Sequence, residues 1–137
     1  GYHSVTPYLI VPDVDQLIDF LKQVFDAEER SRVADAKGRI MHAEARVGDS
    51  VIMMGQSNEE IPPMPAVLHL YLEDVDDAYE RALEAGATSL REPTDEFYGD
   101  RSGGVQDAFG NQWWLATHVE DVSEEEMQRR MAEMASG

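Results

Sequence analysis

The chain has no cysteine. That removes disulfide frameworks, thiolate nucleophiles and zinc–sulfur sites from consideration. Lysine is almost as scarce, with Lys22 and Lys37 alone. Basic residues number 11 against 28 acidic ones, a formal net charge of −17. A field of that sign repels nucleic-acid phosphates and anionic membrane surfaces and favours cationic partners. It also fits plain solubility or adaptation to salt. Long apolar runs are missing, since none approaches the ~20 residues of a membrane span. No basic segment followed by an apolar stretch opens the sequence, so no signal peptide is expected and a cytoplasmic location is the default.

What remains is ordinary in size: 137 residues, 42% of them hydrophobic, fit one domain over 1–137 with a real core. "VTPYLIV" (Val5 to Val11) reads as a strand. "DVDQLIDFLKQVFD" follows with Val14, Leu17, Ile18, Leu21 and Val24 at helical spacing, capped by Asp13 or Asp15. "RIMHAEARV" alternates as a strand, "GDS" is a turn, and "VIMMG" is the next strand. Residues 56–65, with three prolines and two acids, read as a linker.

Then the pattern restarts. "AVLHLYL" reads as a strand, and "EDVDDAYERALEAG" as a helix with Val75, Ala78, Ala82 and Ala85 inward and Gly86 as its stop. "ATSLREPTDEFYGDRSGG" holds a short strand and a loop, and "VQDAFGNQWWLATH" a hairpin around "FGN". "VSEEEMQRRMAEM" is a tail helix, with a capping box from Ser123 and Glu126 and a stripe of Met127, Met131 and Met134. "VPDVD" matches "LEDVD" at an offset of 61 residues, the distance from Val11 to Leu72. The same offset lays "GDSVIMMG" on "FGNQWWLA", pairing Ile52 with Trp113 and Met53 with Trp114. The repeat divides the chain into modules at 4–55 and 66–118, with a tail at 119–137.

Residues 4–118 resemble the vicinal oxygen chelate superfamily of glyoxalase I, bleomycin-resistance proteins and extradiol dioxygenases. "TPYLIVPDVDQLIDFLKQVF", "LYLEDVDDAYERALEAGA", "YGDRSGGVQDAFGNQWWL" and "THVEDVSEEEMQRR" look most like its small bacterial glyoxalase/bleomycin-resistance branch. The resemblance implies an α+β fold of two βαβββ modules, a curled mixed sheet around a cavity, a C-terminal helix, and a homodimer. "QDAFG" has Ala108 where the family usually has proline, which lowers the stiffness of the turn.

Within that fold, period-two alternation assigns the faces of the strands. Val5, Pro7, Leu9, Val11, Leu68, Leu70, Leu72, Ile52, Met54, Trp113 and Leu115 are expected under the helices. Thr6, Tyr8, Ile10, His42, Glu44, Arg46, Val51, Met53, Val67, His69, Tyr71, Gln112, Trp114 and Ala116 are expected on the cavity side.

The resemblance also implies four metal-ligand positions, which here are Thr6, Met53, Val67 and Trp114. None is a normal ligand for zinc, nickel or iron, so no metal, cofactor or catalytic residue is expected. His42, Glu44 and His69 could form a two-histidine–one-carboxylate set, or His42 and Glu44 a hydrogen-bonded pair in the wall. Arg101 is expected to clamp a carboxylate such as Asp107, or to meet a substrate carboxylate. The expected ligand-binding set is Tyr8, His42, Glu44, Met53, His69, Tyr71, Phe97, Tyr98, Gln112 and Trp114, suited to flat aromatic ligands. Three readings follow. The first is a non-catalytic homodimer sequestering an aromatic or peptide-like small molecule such as an antibiotic, without nucleic-acid or membrane partners. The others are a glyoxalase-like lyase or isomerase with a non-standard site, and an interaction protein with a filled cavity.

Overall fold

Asp13 and Asp74 occupy equivalent places in the two halves, both in extended conformation. Each carboxylate accepts a backbone hydrogen bond three residues on, from Gln16 and Asp77, and so caps α1 (Val14–Phe25) and α2 (Val75–Glu84). The computed structural model describes residues 2–136, so Gly1 and Gly137 of the expected 1–137 span lie outside the described residues. In the first half, β1 (Tyr8–Val11), β2 (Glu28–Ala34), β3 (Ile40–Val47) and β4 (Ser50–Gln56) form one sheet in the order β1-β4-β3-β2. In the second, β5 (Val67–Tyr71), β6 (Thr88–Asp95), β7 (Asp100–Gln106) and β8 (Gln112–His118) form another in the order β5-β8-β7-β6. The helix α3 (Glu124–Ser136) follows. In both sheets the first and last strands run parallel and the other pairs antiparallel.

The repeat extends to register. Tyr8 lies opposite Met53, and 61 residues later His69 lies opposite Trp114. It extends to helix capping as well. The Gln56 side-chain oxygen accepts from the Val14 N–H at 3.4 Å, and the Thr117 hydroxyl accepts from the Val75 N–H at 2.8 Å. Each last strand thus satisfies an orphan donor of its own helix.

The helix-covered faces of both sheets converge on one core. Leu9, Val11, Ile52, Met54, Trp113 and Leu115 are all buried there. Trp113 is sealed from the first half: the rings of Phe20 and Phe25 on α1 lie 5.9 and 5.5 Å from its own. Its indole N–H donates to Asp107 at 2.9 Å, which satisfies the polar atom that burial would otherwise strand. Because side chains alternate along a strand, the opposite face of each sheet lies outside this shared core.

Several expectations change. The first strand starts at Tyr8 rather than Val5, and Val5 is 84% exposed. Pro7 has no N–H and contributes only its carbonyl, which accepts from Met53. Leu68, Leu70 and Leu72 are only partly buried, because β5 is an edge strand. The sheets remain separate, with β1 and β5 each at an edge. The strand β2 had no sequence signal. What reads as a short strand in "ATSLREPTD" is the eight-residue β6, whose irregular register around Arg91 accommodates Pro93. The capping box is half made. Ser123 accepts from the Glu126 N–H at 3.1 Å, while the Glu126 carboxylate turns to Arg129 and Arg130. Among the described residues no helix is long and apolar enough to cross a membrane.

Candidate functional site

The outer face of the second sheet is built from β8 outward. Gln112, Trp114, Ala116 and His118 share it with Gln106, Gly104, Ser102 and Asp100 opposite on β7, and with Val67, His69 and Tyr71 on β5. The Trp114 ring packs directly over Gly104. A Cβ at that glycine would come within 2.6 Å of two atoms of the indole ring, so only glycine lets the ring down onto the backbone. The Trp114 N–H donates to the Gln112 side chain at 3.1 Å, which fixes the ring's rotation. His69 is paired with Trp114 in register, and its ring is 5.1 Å from that of Tyr71.

Beyond this platform runs a polar chain. Tyr71 donates its hydroxyl to Asp100 at 2.9 Å. His118 bonds Asp100 through Nδ1 at 2.9 Å and Asp121 through Nε2 at 2.8 Å. The Asp100 and Asp121 hydrogen bonds raise the His118 pKa above its ordinary 6.5. An imidazolium donating from both nitrogens has no lone pair to act as a base. Donation to Asp100 likewise raises the Tyr71 pKa. These hydrogen bonds order Tyr71, Asp100, His118 and Asp121 against one another. Nearby, the Phe97 and Tyr98 rings lie 5.2 Å apart, and Arg130 of α3 donates to the Phe97 carbonyl at 2.8 Å, tying the tail to this loop.

On the first sheet, Tyr8 crosses over Gly55, with its ring 5.7 Å from that of His42. Glu44 lies opposite Met53 on one side and Ser31 on the other, and is 9% exposed. Its carboxylate accepts the Tyr2 hydroxyl at 2.8 Å, which raises the phenol's pKa. The Arg30 guanidinium stands 5.0 Å from the centre of the Tyr2 ring.

The expected residues therefore divide between two surfaces. Tyr8, His42, Glu44 and Met53 lie on the first sheet; His69, Tyr71, Gln112 and Trp114 lie on the second, with Phe97 and Tyr98 on the loop before β7. A groove of about 1240 Å³ opens between the β1 and β5 edges, lined in part by Tyr8, Val67, His69 and Tyr71. His42, Glu44 and His69 do not assemble, and Glu44 bonds Tyr2 rather than His42. Among the described residues no group of three or more His, Asp or Glu is placed to hold a metal. Of the four metal positions implied by resemblance, Thr6 gives its hydroxyl to the His3 carbonyl at 3.4 Å, and Val67 is 70% exposed.

Arg101 is a correction. It does not hold Asp107 but clamps Asp76 of α2 at 2.9 and 3.0 Å and reaches Asp95 at 3.3 Å. Its register partner is Thr117, so it projects toward the helices and away from the outer face. Asp107 instead accepts from the backbone of Phe109 and Asn111 and from the side chains of Asn111 and Trp113. Sequence reasoning missed Tyr2, Ser102 and His118, and took Asp100 only as part of a structural Gly-Asp-Arg segment with Arg101. Continuing the Trp114 parity to the end of its strand reaches His118, and the hairpin register then gives Asp100 and Ser102.

Two sheets in repeated register, with helices packed between them and aromatic rings on their outer faces, define a fold of paired βαβββ modules. The chain belongs to the Glyoxalase/Bleomycin resistance protein/Dioxygenase superfamily, whose model matches residues 1–115. It is 34% identical to an uncharacterised protein of Mycobacterium bovis, over 98% of this chain and 95% of that relative. Among solved structures it is similar to TioX from Micromonospora sp. ML1, with 26% identity and a TM-score of 0.74, covering 87% of this chain and all of that one (100%). A superfamily enzyme from Burkholderia phytofirmans PsJN shares the fold at 17% identity and a TM-score of 0.68, over 83% of this chain and 97% of that one.

Proposed function

We propose that the protein binds a flat aromatic or peptide-like small molecule without transforming it. The role is sequestration, such as antibiotic self-resistance or carriage. The observation that carries this reading is Trp114, packed over Gly104 at one of the positions where the family resemblance implies a metal ligand. A half-buried indole on the outer face is available to an aromatic ligand, and such a pair is worth ~0.5–1.5 kcal/mol beyond area burial.

A homodimer belongs to the same reading. Within one chain the helix-covered faces turn inward, so neither outer face supplies a wall for the other. Val67 and Tyr71 on the β5 edge are 70% and 65% exposed, as an unpartnered wall would be. A second copy supplies the missing side.

The test is a titration of the dimer with bleomycin, followed by tryptophan fluorescence. The expected result is a saturable change that Trp114→Phe abolishes, with a two-chain mass in sedimentation. An unchanged signal at high micromolar bleomycin and at comparable levels of other flat-ringed antibiotics would overturn the reading.

A further inference from the structure

We propose that the outer face of the first sheet recognises a hydroxyl-bearing aromatic ring through the Glu44 carboxylate, and that Tyr2 occupies this subsite until such a ligand displaces it. The inference rests on the small-molecule-binding reading and names one chemical feature of the ligand.

A carboxylate this buried needs a hydrogen-bond donor. Among the described residues the donor to Glu44 is the Tyr2 hydroxyl, at 2.8 Å. The neighbours across the strands, Met53 and Ser31, make no hydrogen bond to it. Yet Tyr2 is weakly held. It is 56% exposed and comes from the segment before β1, which has no helix or strand. Its polar contacts are one hydrogen bond, to Glu44, and the Arg30 cation–π contact at 5.0 Å. A group bound so lightly is one that a competing molecule can replace.

The second sheet sharpens the point. There the ring over the sheet centre belongs to the strand, as Trp114 on Gly104. In the first sheet Met53 takes the place of Trp114, and Glu44, its register partner, takes the place of Gly104. Met53 brings no ring to this position, and the hydroxyl of a phenol from outside the sheet reaches Glu44 instead. A ligand suited to it offers a π-face to Arg30 and an O–H to Glu44. A carboxylate or phosphate at the same point would be repelled by Glu44.

The experiment measures binding of 2-naphthol and of 2-methoxynaphthalene, the same ring without a donor, to the full chain by calorimetry. Tyr2→Ala and Tyr2→Phe alter an exposed residue outside the core. Both should tighten 2-naphthol about threefold, as expected for a subsite open about a third of the time. Glu44→Gln in the Tyr2→Ala background should weaken it about tenfold, the loss of a charge-assisted hydrogen bond. The methoxy probe, which has no O–H to give Glu44, should bind more weakly than 2-naphthol and should not respond to Glu44→Gln. Equal affinity for the two probes, or 2-naphthol binding unmoved by Tyr2→Ala, overturns the proposal while leaving the small-molecule reading intact. Failure of both probes to bind wild type and Tyr2→Ala overturns it too, and the antibiotic titration then decides the broader reading separately.

Discussion

The two sheets share a frame and differ at its centre. Caps, register and strand order repeat at 61 residues, down to the last-strand side chain that completes each helix N-terminus. At the middle of the outer face, one sheet has Trp114 over Gly104 and the other Met53 beside Glu44. The second sheet therefore makes an apolar platform from its own strand. The first keeps a buried carboxylate and borrows a ring from elsewhere in the chain. A duplicated scaffold fixes where a ring can lie, and a few positions decide whether the strand or a visitor provides it.

The largest way to break that comparison is to delete rings by parity. Trp113→Ala should cost about 3–5 kcal/mol, because a fully buried ring leaves a cavity against Phe20 and Phe25. Trp114→Ala should cost only about 1 kcal/mol, in keeping with half-burial on one side of the sheet. Urea unfolding of the two variants gives the ratio, and equal costs would mean that the faces are misassigned.

Smaller effects come from adding a methyl group beneath each ring. Gly104→Ala drives a Cβ into the indole itself and should cost about 1–3 kcal/mol, with a shifted Trp114 emission. Gly55→Ala meets the far end of Tyr8, which is 50% exposed and can swing away. It should fall within about 1 kcal/mol of wild type, since alanine also relieves the entropic cost of glycine in a strand.

The most delicate contrast is pH-dependent. His118 has a carboxylate on each ring nitrogen, whereas Ser57 stands at its repeat position in the first half. A folded-state pKa raised above 6.5 stabilises the protein fully below the unfolded value, and this contribution is lost as pH climbs through the folded one. Protection factors of the Val119 and Glu120 amides, which donate to the Gly99 carbonyl, should fall across that window and not elsewhere. An NMR titration should place the His118 midpoint above 6.5, and Asp121→Asn should lower it.

The repeat was legible because identical offsets in short motifs reflect identical register, and Trp113 and Trp114 separated cleanly because strand alternation has no freedom in a regular hairpin. Edges were harder. "EERSRVA" is exposed along its whole length, so β2 carries no buried stripe to read. β6 contains a proline and sits at an edge, where a missing N–H is tolerated. Tyr2 was invisible to periodicity, since it belongs to no element and reaches Glu44 only through tertiary folding. Arg101 misled for a related reason: its partner Asp76 is distant in sequence, and parity rather than proximity chose it over Asp107.

The turn after β7 stores its shape in one carboxylate. Asp107 gathers two backbone and two side-chain donors, a task that proline rigidity performs only in part. Rigidity held by hydrogen bonds frees the neighbouring position. Ala108 is exposed and can drift among residue types at little expense, while any change at residue 107 would loosen the turn and strand the indole N–H of Trp113 deep in the interior. Mutational tolerance and intolerance thus sit side by side, one residue apart, on the same bend.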